Sequence, residues 1–221
     1  LQSRSSLWQD LKGRVKAPAL SPNQQLLALV SEKNGRGQLS VYSTEHNVEA
    51  ERRFNKRNDS ILHRDPVDII DKKPSVFQRK LHRFLPATSY ALIDNPRWLS
   101  DDVILFTALS RINNAATSTE LFSWHLTTDR VQQLTRNMNL RRFDVLEKPS
   151  LLGITSAAVI AEQTRSGTSR LVTVKLDMNR SDNSVALALT PATSAVTYDF
   201  PKVRPDGNQF AFLQKNLNQK W

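Results

Sequence analysis

The chain says one phrase three times. Ser21-Pro22-Asn23 leads into the apolar run Leu26–Val30, Ser100-Asp101-Asp102 into Val103–Phe106, and Arg204-Pro205-Asp206-Gly207 into Phe210–Leu213. A proline stands ahead of each copy, at Pro18, Pro96 and Pro201. Proline presets φ in a turn, and Asn, Asp or Gly tolerates the left-handed residue that follows, so each phrase is a tight turn feeding an extended segment. The runs have strand length and fall short of the ten or more residues a helix wants. A looser copy starts at Pro149 and reaches Val159–Ala161. A turn and a strand that recur at long period mark a chain built from repeated supersecondary units, and every other reading has to fit that.

Each phrase is followed by hairpin partners. Asn34-Gly35-Arg36-Gly37 reads as a turn into the alternating segment Gln38–Tyr42, and Val48–Phe54 as a charged edge strand beyond it. In the second unit Ser110–Thr119 is a polar loop, Glu120–Leu126 a strand, Thr127–Arg130 a turn and Val131–Thr135 a closing strand. The third gives Ala157–Glu162, a turn at Ser166-Gly167, Arg170–Leu176 and Ser184–Thr190. Pro96, Pro149 and Pro201 are spaced by about fifty residues, a period that holds one small antiparallel sheet and so suits a propeller blade. One such sheet cannot cover both its faces, whereas radial stacking covers them. The expectation is an all-β β-propeller of three to four blades, with blades at 18–54, 96–138, 149–192 and 197–221 and the last one incomplete. The competing architecture is a β-sandwich whose turns recur by coincidence. Residues 1–17 are a polar lead-in, and Trp98 stands where Leu20 and Val203 stand in the other units, as a core residue between blades.

Residues 55–95 do not fit the period. They are basic, with Lys56, Arg57, Arg64, Lys72, Lys73, Arg79, Lys80 and Arg83, and Val76, Phe77, Leu81, Phe84 and Leu85 cluster loosely at helical spacing. The segment reads as a partly helical insertion on one rim. Arg64, Lys72, Lys73, Phe77, Arg79, Lys80, Arg83 and Phe84 are its candidate partner-binding residues, with the 110–119 loop completing the surface. A net charge of +10 adds attraction to an acidic surface or polyanion, although no nucleic-acid-binding motif accompanies it.

Catalytic chemistry finds little to work with. The sequence has no cysteine, which removes disulfides, thiolate metal sites and a Cys nucleophile. No glycine frames a serine as Gly-x-Ser-x-Gly, and no Gly-rich loop is built to cradle phosphate. His46, His63, His82 and His125 are scattered, without metal-ligand spacing, and His125 reads as an outward-facing strand residue. Asp65, Asp68 and Asp71 lack the spacing and glycine of a calcium loop. Asp101, Asp102 and Asp206 belong to the repeated turn, as local caps of the backbone. The expectation is therefore no catalytic, cofactor or metal site. No apolar run is long enough for a membrane helix.

Arg204-Pro205-Asp206-Gly207-Asn208-Gln209-Phe210-Ala211-Phe212 resembles the repeat of TolB-like β-propellers. So does Leu20-Ser21-Pro22-Asn23 through Leu29, and the stretch from Pro96 to Gln133-Leu134-Thr135 is similar to almost a whole blade; Pro149–Thr190 departs most, lacking the Pro-Asp-Gly turn. The resemblance implies a non-enzymatic, periplasmic or extracytoplasmic module that binds a protein partner or signal. Its hosts include TolB proteins, the propeller of prolyl-oligopeptidase-type serine peptidases, and the sensor part of CadC/ToxR-like membrane-anchored winged-helix regulators. The short stretch Leu11–Pro18 ahead of the first blade is similar to the last of these, and the peptidase accessory domain is the alternative.

Overall fold

The computed structural model describes residues 14–33, 36–44, 81–85, 90–111, 116–146, 157–178 and 184–217. Sheet I contains β1 (Arg14–Leu20), β2 (Leu26–Lys33), β3 (Arg36–Ser43) and β4 (Leu81–Phe84). Sheet II contains β5 (Ala91–Trp98), β6 (Val103–Arg111), β7 (Thr117–His125) and β8 (Arg130–Gln133). Sheet III contains β9 (Leu140–Leu146), β10 (Ala158–Arg165), β11 (Thr168–Lys175) and β12 (Val185–Ala188). Sheet IV pairs β13 (Val196–Val203) with β14 (Phe210–Asn216). Every sheet is an antiparallel meander whose neighbours in space are neighbours in sequence. The sheets stack in chain order, with β5 lying on sheet I, β9 on sheet II and β13 on sheet III.

Sheet II shows why the apolar runs are continuous rather than alternating. On β6, Ile104, Phe106 and Ala108 pack toward sheet I with Val30, Leu39 and Val41, while Leu105 packs toward sheet III with Phe143 and Val159. β7 divides in the same way, Phe122 and Trp124 on one side and Leu121 on the other. A strand covered on both faces has no polar face to write into its sequence. Phe106 stacks on Phe122 at 5.6 Å between centroids, and Tyr90 sets its edge against both. Sheet I approaches β5 closely at Gly37, where an added Cβ would lie 3.1 Å from the Ile93 carbonyl oxygen.

The repeated prolines fall inside the first strand of a sheet. The register of β1 breaks between Lys16 and Ala19, that of β5 between Asp94 and Arg97, and that of β13 between Asp199 and Lys202. Each break holds a left-handed residue followed by proline: Ala17-Pro18, Asn95-Pro96 and Phe200-Pro201. A bulge interrupts the ladder, so proline's missing N–H costs nothing there. The Leu-Thr pairs at the ends of two units also have a structural reason. The Thr135 hydroxyl accepts the Leu121 N–H and the Thr190 hydroxyl accepts the Leu171 N–H, each at 2.9 Å, which satisfies a donor on the third strand where the fourth has ended.

Several expectations change. Leu81–Phe84 is a strand that pairs with β3, where helical spacing pointed to a helix, and no helix occurs among the described residues. The apolar spacing there was too short to separate the two periods. The segment 55–95 therefore includes β4 and the first part of β5. Residues 110–119 are not one loop, since β6 runs to Arg111 and β7 starts at Thr117. Val48–Phe54 lies outside the described residues.

Candidate binding cavity and its rim

The sheets are aligned end to end by bonds between their turns. The Trp98 indole N–H donates to the Ala19 carbonyl at 2.9 Å, and the Asn23 N–H donates to Asp101 Oδ1 at 2.9 Å, tying the first turn of sheet I to that of sheet II. Trp98 is thus buried between blades, as its place in the repeat implied. Asp101 and Asp102 do more than cap their own turn. Asp101 reaches the neighbouring sheet, and Asp102 Oδ1 accepts the Thr127 N–H at 2.8 Å from the β7–β8 turn. Asp206 does act locally, accepting the Asn208 N–H at 2.9 Å. Neighbouring turns form around these carboxylates, so the position that sequence marks as a turn cap also aligns the blades.

At this end the first strands of all four sheets converge on a cavity of about 320 Å³. Ala19 and Leu20 come from β1, Arg97 and Trp98 from β5, Asp144 and Val145 from β9, and Lys202 and Val203 from β13, while Pro22, Arg204 and Pro205 close it from two turns. Asp144 is the hub. Its Oδ1 lies 3.0 Å from Arg97 Nε and 3.8 Å from Lys202 Nζ, and its Oδ2 accepts the Val203 N–H at 2.9 Å. Arg97 also donates from Nη1 to the Pro96 carbonyl at 2.9 Å, and Arg204 pairs with Asp206 at 3.1 Å. Burial of the Lys202 ammonium, with the Arg97 charge beside it, lowers its pKa; Asp144 opposes that shift. The signal sequence reasoning missed was the pair of residues just after each buried proline, Arg97 and Lys202, which the repeat itself carries to one place.

Several strands also end or begin at this end. Chain leaves sheet I at Thr44, bonded to the Gln25 and Gln24 carbonyls of the first turn, and returns at Leu81, opposite Tyr42. β9 ends and β10 starts at this end, and so do β11 and β12, whereas β2 and β3, β6 and β7, and β10 and β11 meet at the other. β6 ends at Arg111 and β7 starts at Thr117, a full strand away from the turns at the cavity. Arg83 and Phe84 lie on β4, paired with Val41 and Ser40. Arg64, Lys72, Lys73, Phe77, Arg79 and Lys80 lie outside the described residues, as do Asp65, Asp68 and Asp71. His125 is half-buried at the end of β7. Among the described residues no group of three or more His, Asp or Glu is placed to hold a metal ion, and no helix is long and apolar enough to cross a membrane.

No family model matches the chain, and no curated protein sequence does. Solved structures do. TolB from Acinetobacter baumannii is similar with a TM-score of 0.55 and 18% identity, over 94% of this chain and 39% of that one. The apo form of the AtxE2 isopeptidase gives a TM-score of 0.32 and 13% identity over 91% and 32%, an overlap that carries no structural argument. The chain thus spans 39% of the TolB chain's length. The stacked antiparallel meanders and the TolB likeness agree on the architecture: the fold is that of a TolB-like β-propeller.

Proposed function

We propose that the chain is a non-enzymatic binding module, working outside the cytoplasm, that takes a protein partner on the propeller end where the cavity opens. What carries the reading is the gathering of features at that end: the cavity, the basic Arg97, Lys202 and Arg204, and the attachment points of the 44–80 connection. Loops held by a rigid scaffold are where binding residues concentrate. We take Arg64, Lys72, Lys73, Phe77, Arg79 and Lys80, from the chain between Thr44 and Leu81, together with Arg83 and Phe84 on β4, as the residues that meet this partner. The resemblance of the repeats to those of TolB-like propellers is what suggests the compartment and a protein partner, and the sensor part of a membrane-anchored regulator is the setting we favour.

Deleting residues 55–95 would remove β4 and part of β5, so the test uses substitution. The tagged chain and a variant with Arg64, Lys72, Lys73, Arg79 and Lys80 changed to Gln are passed through a native extract at low and moderate salt. A protein retained by the parent at moderate salt and lost by the variant supports a specific rim. Retention that falls equally with salt in both leaves only general charge attraction and removes the proposal.

A further inference from the structure

The cavity wall carries more positive than negative charge. Arg97, Lys202 and Arg204 line it against the single carboxylate of Asp144, and Asp206, off the wall, balances only Arg204. Asp144 is already engaged on both oxygens, by Arg97 and Lys202 at one and by the Val203 N–H at the other. The contact of Lys202 with it is long, 3.8 Å, and the lysine side chain is 57% exposed. An ammonium has three donors and a flexible stem, so Lys202 can keep Asp144 in range and still meet a second acceptor. Beside these cations stand apolar walls: Trp98, Pro22 and Pro205. We propose that the cavity is a carboxylate site, in which Lys202 and Arg204 take the acid group while Trp98 and the prolines cover the body that bears it.

The inference rests on the binding-module reading and specifies what the cavity takes. A carboxylate fits better than a phosphate because phosphate sites are built largely from converging backbone N–H groups, and here the donors are side chains. A volume of about 320 Å³ suits one side chain or a small acid, at the low end of ligand pockets. Such a group can come from a free organic acid or from a Glu or Asp side chain of a partner protein, and the probes separate these sources.

Isothermal titration of the full chain with benzoate, with a capped tripeptide holding a central glutamate, and with inorganic phosphate tests the assignment. Saturable binding of either carboxylate, stronger than that of phosphate, is expected. Benzoate binding identifies a free acid as a ligand, and binding of the capped peptide alone identifies a partner side chain. Lys202→Gln weakens the carboxylate about tenfold, as loss of one charge-assisted hydrogen bond should. Asp144→Asn, which removes the competing carboxylate, strengthens it; circular dichroism checks that this variant folds, and Lys202→Gln stands as the test if it does not. Carboxylates that bind no better than phosphate, or equally well to parent and Lys202→Gln, overturn the inference, as does the absence of saturable binding. Partner capture that persists while carboxylate binding is absent removes this site alone. Carboxylate binding without capture removes the protein-partner reading and leaves the site.

Discussion

Glu120 and Glu162 are both buried carboxylates, 1% and 2% exposed, and their surroundings treat them differently. Glu120 is satisfied on both oxygens. The Ser118 hydroxyl and the Met138 N–H donate to Oε1, the latter at 2.9 Å, and the Thr135 hydroxyl donates to Oε2 at 2.6 Å. These bonds pin the link from sheet II to sheet III, where Asn139 also donates to the Thr164 carbonyl at 3.0 Å. Glu120→Ala strands several buried donors and should cost about 3 kcal/mol by urea unfolding, with Glu120→Gln costing less. Glu162 has one hydroxyl donor, from Ser169 at 3.1 Å, and burial raises its pKa against the opposing effects of Ser169 and Arg141. A carboxyl with a raised folded pKa binds its proton more tightly in the folded chain, so stability falls as pH rises from the ordinary glutamate range through the raised value. Glu162→Gln should therefore melt higher than the parent at about pH 7 and close to it at about pH 4. A constant difference across that range in thermal scans would count against the account.

At the scale of the element, the first strand of each sheet does most of the positioning. It bulges at proline in β1, β5 and β13, lies against the preceding sheet in β5, β9 and β13, and delivers its last residues to the cavity. Trp98 couples these tasks, packing between sheets I and II and bonding to Ala19 across them. Trp98→Ala should cost about 3–5 kcal/mol in chemical denaturation, as large truncations in packed cores do. Gly167 is a smaller case. Its φ is +77° and nothing stands within 4 Å of an added Cβ, so Gly167→Ala should cost about 1 kcal/mol through backbone strain alone. The turns and the strands after them were legible in the sequence because Pro, Asn, Asp and Gly have fixed local geometry. The first strands were not: Val15–Leu20 and Asp94–Trp98 carry a proline mid-run, and proline ordinarily argues against a strand. β4 was hidden for the opposite reason, since its four residues contain no period to read. Arg97 and Lys202 could be seen as a recurring basic position, but their convergence on Asp144 depends on how the sheets stack.

At the scale of the molecule, three sheets have four strands and sheet IV has two among the described residues. β14 is exposed along its length, and Leu213 and Leu217 are 61% and 51% exposed. An uncovered edge of this kind invites strand pairing. Leu213→Lys should lower concentration-dependent light scattering without lowering the melting temperature, whereas unchanged scattering would place any self-association elsewhere. The central claim is that one end of the propeller does the binding. Hydrogen–deuterium exchange of the full chain, with and without the protein it captures, tests that most directly. The account predicts slowed exchange in turns 21–25 and 204–209 and in the 44–80 connection, with turn 166–167 and connection 112–116 unchanged. Protection confined to those last two would put the working surface at the opposite end and contradict the account.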